Sequence, residues 1–161
     1  MSKTNTKIVL CLILLFSIFA ILAAYFIQYV LGHQPCNLCL IERIPYFFSI
    51  LIISIYLLTK KFEKIVLISL SLIFLCAALL SFYHFGIEQG FIKESLVCDL
   101  NNQNNEISKK AILDQLKRMP VSCVDVTFKI FGLSLATFNI FISLTLSAII
   151  TKLFLIYEKN K

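Results

Sequence analysis

Four stretches of this chain, roughly 8–31, 40–58, 65–85 and 130–150, carry almost nothing but apolar side chains. As helices rising about 1.5 Å per residue, runs of about twenty residues cross the roughly 30 Å hydrocarbon layer of a bilayer. A soluble helix of that length needs a polar outer face, and long parts of these segments have none. Lipid is therefore the solvent they expect. The charged fraction, 15%, and the mean hydropathy, +0.89, agree with that reading, since soluble domains carry about a quarter charged residues.

The expected fold is an all-α membrane protein, a bundle of four transmembrane helices forming a single integral membrane domain over residues 1–161. The first run has a basic start (Lys3, Lys7) but is too long for a signal-peptide core and lacks a convincing small-residue cleavage site, so it reads as a retained helix. The net charge of +6 does not point to nucleic acid. The lysines punctuate the ends of apolar runs and form no basic stripe interleaved with aromatics. Lys3, Lys7, Lys60, Lys61, Lys64, Lys152, Lys159 and Lys161 fall on one side, which the distribution of cations assigns to the cytoplasm together with both termini. The opposite side receives a short loop, about 32–39, with no Lys or Arg, and a long one, about 86–129. The long loop holds six basic residues matched by six acidic ones. Within it, Ser108–Met119 reads as a short amphipathic helix, with Ser108 at its cap and Ile112, Leu113 and Leu116 at helical spacing. It is suited to lie on the membrane surface or to pack on the loop.

Six cysteines divide by position. Cys11 and Cys76 lie inside apolar runs, where a thiol behaves as a small hydrophobe. Cys36, Cys39, Cys98 and Cys123 all fall on the non-cytoplasmic side. In a periplasm, disulfides persist, and four cysteines allow three pairings. Cys36-Asn37-Leu38-Cys39 is a C-x-x-C at the start of the second helix, where the helix dipole and unpaired N–H groups lower a thiolate's pKa. A helix already begun at Cys36 puts Cys36, Cys39 and Arg43 on one face. Arg43 then stands at the membrane boundary beside the thiols, able to stabilise a thiolate and polarise an electron-accepting carbonyl. The plainer reading is an arginine snorkelling to the headgroups, paired with Glu42. A zinc ribbon wants a second closely spaced pair, which Cys98 and Cys123, separated by 24 residues, do not make; a tetrahedral site is geometrically possible but poorly signposted, and no metal is expected. His33 and His84 lie near the outer ends of the first and third helices. Two histidines at one depth could hold a haem, but interfacial bonding to loop carbonyls suits His33 better, and His84 is placed to reach a ligand near Arg43.

The segments PCNLCLIERIPYF (Pro35–Phe47), YHFGIEQGF (Tyr83–Phe91), Cys98 and VSCVDVTFKIFGLSLATFNI (Val121–Ile140) resemble the DsbB family of bacterial disulfide bond formation proteins, in order and over nearly the whole chain. The resemblance implies a quinone-dependent thiol oxidase of the inner membrane. Cys98 and Cys123 would form the disulfide that re-oxidises a soluble, thioredoxin-like DsbA-type partner, with Cys98 making the mixed disulfide. Electrons would pass to Cys36–Cys39, and from Cys39 to ubiquinone or menaquinone. Arg43 would position the quinone and favour the Cys39 thiolate, and His84 would line the same site. The family often has tryptophan after the second loop cysteine; this chain has none, with Phe128 and Phe138 in that region. A vitamin K epoxide reductase type shares a four-helix core but carries its C-x-x-C late in the chain. The alternative from another class is a non-catalytic assembly or anchoring subunit stapled by structural disulfides.

Overall fold

The computed structural model describes residues 3–93, Cys123, 129–130 and 133–159. Five helices carry the described chain: α1 (Lys3–Tyr29), α2 (Asn37–Ile41), α3 (Ile44–Thr59), α4 (Glu63–Glu88) and α5 (Leu135–Lys159). Two short strands, β1 (Lys129–Ile130) and β2 (Leu133–Ser134), pair antiparallel just before α5, with Lys129 opposite Ser134. Among the described residues, four spans are long and apolar enough to cross a membrane: Thr6–Tyr29, Asn37–Thr59, Glu63–Glu88 and Leu135–Lys159. At most 33% of the most apolar window in any of them is buried inside the protein, so their apolar faces need lipid to cover them.

The second span is broken, and Pro45 explains where. Its missing N–H cannot bond the carbonyl of Ile41, and its ring crowds that carbonyl, so α2 ends at Ile41 and α3 restarts at Ile44. The α3–α4 turn uses two non-glycine residues in left-handed conformation, Lys60 (φ 52°) and Phe62 (φ 61°). At the far end of α4, Gly90 (φ 74°) closes a Schellman motif: Gly90 N–H donates to Ile87 O at 3.0 Å, and Phe91 N–H to Gly86 O at 2.9 Å.

The fourth expected span, 130–150, is corrected. The helix begins at Leu135 and runs to Lys159. Ser134 sets its start, because its hydroxyl accepts the Thr137 N–H at 3.3 Å and so caps the first turn. The residues just before it are taken up by the β1–β2 pair. The surface helix expected over Ser108–Met119 lies outside the described residues.

Packing runs α1 on α3, α3 on α4, and α4 along α5, the last being the most extensive contact. Leu10, Ile53, Leu67, Leu70, Phe74 and Ile150 form the fully buried centre. Small hydroxyl residues let the helices approach. Ser49 donates to Ser17 at 3.0 Å, Ser71 and Thr151 meet at 2.7 Å, and Ser147 donates to the Ser71 carbonyl at 3.2 Å. At one end Lys64 pairs with Glu158, joining the start of α4 to the end of α5. The opposite end gathers α2, the end of α4 and the start of α5. There, α1 and α5 flank a cleft.

Candidate functional site

Cys36 is the N-cap of α2, in extended conformation (φ −71°, ψ 167°), and its sulfur accepts the Cys39 N–H at 3.2 Å. A cap and the third helical residue after it share one side of the helix start, which brings both sulfurs together. Cys36 is only 5% exposed, whereas Cys39 is half-buried. The two sulfurs are not bonded to each other here. The expectation of a lowered thiolate pKa does not hold for Cys36. Its neighbouring Cys39 side chain, and then burial, push the Cys36 thiol well above the ordinary range, and the nearby His84 only partly opposes them.

His84 comes from the last turns of α4, 2% exposed, with Nε2 at 3.5 Å from Cys36 Sγ. The Cys36, Cys39 and His84 donor atoms all lie within 4.8 Å of one another. On its other side, His84 Nδ1 meets Glu42 Oε1 at 2.8 Å. Glu88, one turn beyond His84, brings a carboxylate oxygen to 3.7 Å from Nε2. Asn139 of α5 donates to Glu42 Oε2 at 3.2 Å and to Ser81 Oγ at 2.7 Å, and accepts from the Tyr46 hydroxyl at 2.5 Å. A buried carboxylate is tolerated when its lone pairs are satisfied in this way. The chain thus lays a polar ladder, Cys36–His84–Glu42–Asn139–Tyr46, across α2, α3, α4 and α5.

Arg43 is not paired with Glu42. Its Nη1 donates to Gln28 of α1 at 2.7 Å, and its guanidinium stands over the Tyr25 ring at 5.2 Å. Glu42 is drawn to His84 instead, because consecutive residues at the α2–α3 break point in different directions. The cleft beside these groups has a volume of about 400 Å³. Cys36, Cys39, Glu42, Arg43, Tyr46, His84 and Asn139 line its polar end, and α1 and α5 supply apolar walls such as Phe19, Ala23, Phe138 and Ile142. His33 also lines it.

Cys123, 3% exposed, reaches the same cleft and packs in one cluster with Cys36, Leu38 and Ile87. Cys98 lies outside the described residues. Cys11 and Cys76 sit on exposed faces of α1 and α4, away from this cluster. Sequence reasoning missed Asn139 and the bond of Glu42 to His84. Both residues are polar groups within apolar spans, which are costly in lipid and mark interior sites; that signal was available.

The sequence model of the family described as Disulfide bond formation protein DsbB matches residues 6–153. The chain belongs to the DsbB family. Membership makes it a multi-pass membrane protein and an oxidoreductase of disulfide bond formation. It is also 29% identical over 163 residues to the uncharacterized protein RP370 of Rickettsia prowazekii (strain Madrid E), covering 98% of this chain and 92% of that one. No solved structure gives a significant match.

Proposed function

We propose that this DsbB-family protein is a quinone-dependent thiol oxidase that re-oxidises a soluble periplasmic, thioredoxin-like partner of DsbA type and passes the electrons to membrane quinone. The observation that carries the reading is the shared cleft: Cys36, Cys39, Arg43, His84 and Cys123 all open onto one cavity between lipid-facing helices.

The cleft suits a quinone. Its walls on α1 and α5 are apolar, as a lipid-soluble ring and its tail require. Arg43 commits one nitrogen to Gln28, and a guanidinium has five N–H groups in all, so donors are left for a carbonyl oxygen. A bound quinone supplies the acceptor for two electrons and two protons. Arg43 and His84 would hold it, and ubiquinone and menaquinone share the chemistry these residues recognise.

The partner's dithiol is oxidised as the Cys98–Cys123 disulfide is reduced, with Cys98 taking the mixed disulfide. The resulting thiols then reduce the Cys36–Cys39 disulfide by the same exchange, which needs a thiolate in line with a disulfide sulfur. The packing of Cys123 against Cys36 supports that hop. Cys39, half-buried on the cleft, is the thiol that delivers electrons onward. Arg43 lines the same cleft as Cys39, and Glu42 holds the His84 ring in orientation. The cysteine-bearing end faces the periplasm, and the lysine-bearing end with both termini faces the cytoplasm of an inner membrane.

Purified protein in detergent, supplied with a reduced thioredoxin-like oxidase and quinone, tests the reading through quinone absorbance. Quinone loss is expected to require Cys36, Cys39, Cys98 and Cys123 and to be indifferent to Cys11→Ala and Cys76→Ala. Wild-type protein that reduces neither ubiquinone nor menaquinone with partner present refutes it.

A further inference from the structure

A C-x-x-C pair and a histidine at this separation have a second chemistry, independent of electron transfer. We propose that the dithiol form is a thiophilic metal site, in which Cys36, Cys39 and His84 bind one Zn²⁺ and lock the pair against disulfide formation.

Three observations carry this. The first is distance. Zn–S bonds of about 2.3 Å and Zn–N bonds of about 2.0–2.1 Å, set at tetrahedral angles, place a sulfur and a nitrogen roughly 3.5 Å apart. Cys36 Sγ and His84 Nε2 stand at 3.5 Å, and the Cys39 sulfur completes a triangle with no edge beyond 4.8 Å. Closing it needs a side-chain adjustment of at most about 1 Å at the half-buried Cys39, by comparison with the roughly 3.8 Å between two sulfurs on a tetrahedral zinc. The second is orientation. Metal-bound histidines characteristically give their other ring N–H to a carboxylate, which sets the tautomer and raises ligand basicity. His84 Nδ1 meets Glu42 at 2.8 Å. With the hydrogen on Nδ1, the Nε2 lone pair is left facing the sulfurs. Asn139 in turn steadies the other Glu42 oxygen at 3.2 Å. The third is access, since all three ligands line the cleft, which provides an entry path and a fourth position.

Binding releases the two thiol protons and moves no electrons. Both sulfurs are then held as thiolates on the metal, so neither can form the S–S bond until the ion leaves. The disulfide form, with its sulfurs bonded to each other, offers no such site. Availability of Zn²⁺ outside the membrane thereby sets how much of the reduced protein can re-enter turnover.

The test uses the full chain in detergent, with Cys98→Ala present so that the two cysteine pairs cannot be confused. The dithiol form is titrated with Co²⁺, whose tetrahedral thiolate complexes absorb in the visible, and then with Zn²⁺. One Co²⁺ per chain, displaced by one Zn²⁺, is expected from the dithiol form and none from the disulfide form. Glu42→Gln keeps a side chain of the same shape and is expected to weaken Zn²⁺ binding about 10–100-fold. His84→Ala is expected to abolish the tetrahedral spectrum, and unchanged helical content by circular dichroism excludes misfolding as the cause. The proposal is overturned if the dithiol form gives no tetrahedral cobalt spectrum, or if a correctly folded His84→Ala variant binds Zn²⁺ as tightly as the parent. No quinone or partner enters the titration. A protein that holds Zn²⁺ but reduces no quinone therefore refutes the oxidase reading alone, and one that reduces quinone without holding Zn²⁺ refutes this inference alone.

Discussion

At the scale of single residues, the two thiols of the C-x-x-C pair differ sharply in setting. Both line the cleft, but Cys36 is nearly buried, packed with Ile87 and with its acidity suppressed, while Cys39 is half-buried. Because alkylation requires thiolate, iodoacetamide is expected to modify Cys39 first in the dithiol form. Cys36 should react slowly, its rate still climbing with pH beyond about 8.5, the ordinary thiol value. Peptide mass spectrometry across a pH series reads both. Equal labelling at neutral pH would contradict the buried position. Asn139 offers a second test. Asn139→Ala removes partners from Glu42, Ser81 and Tyr46 at once. A buried polar group left unsatisfied costs about 1–3 kcal/mol, so a loss of at least that size is expected in detergent unfolding. Asn139→Ala protein as stable as wild type would mean that water replaces the amide.

At the scale of elements, the helix ends rest on backbone conformation, and two of them make opposite predictions. Gly90 closes α4 at φ 74° with open space where a Cβ would go, so Gly90→Ala tests backbone strain without a packing change. A left-handed residue with a Cβ is disfavoured by about 1–2 kcal/mol, and a loss near 1 kcal/mol is expected. Lys60 ends α3 at φ 52°, already bearing that strain on an exposed side chain. Lys60→Gly is expected to raise stability by up to about 1 kcal/mol, less whatever glycine adds to the entropy of the unfolded chain. A thermal-shift series in one detergent compares the two. The α2–α3 break belongs to the same class of effect. Pro45 interrupts the span at the place where Glu42 turns inward to His84 and Arg43 turns to α1.

At the scale of the whole molecule, the two ends are chemically unlike. Lys64 and Glu158 pair at one end, while both thiols, His84 and Cys123 gather at the other. The orientation proposed above puts the thiol end outward. In cells, a membrane-impermeant maleimide added from outside is expected to reach Cys39 in reduced protein and to miss a cysteine introduced by Lys61→Cys in a background where Cys36, Cys39, Cys98 and Cys123 are all replaced by Ala. Labelling of the Lys61→Cys protein from outside would reverse the assignment. The large unburied apolar faces of α1, α3, α4 and α5 leave no soluble form of this bundle.

Membrane residence, four spans and a C-x-x-C at the start of the second were legible in the sequence, because each depends on neighbours in the chain. Twenty apolar residues in a row choose their solvent whatever surrounds them, and Pro45 breaks its helix by a local clash. The roles of Cys98 and Cys123 came from family resemblance, and only Cys123 falls within the described residues. The partners of the polar residues were a different matter. Glu42 lies 42 residues from His84 and 97 from Asn139 in sequence, so nothing local links them, and adjacency suggested Arg43 for Glu42 instead. Helix packing decided that pairing. Once α4 and α5 enclose the end of α2, a buried carboxylate must take the donors those helices present, and Arg43, on the other side of the break, finds Gln28. The suppressed acidity of Cys36 has a mixed origin: its larger cause is Cys39, three residues on in the same turn, and burial in the packed bundle adds to it. A helix start alone argues the other way.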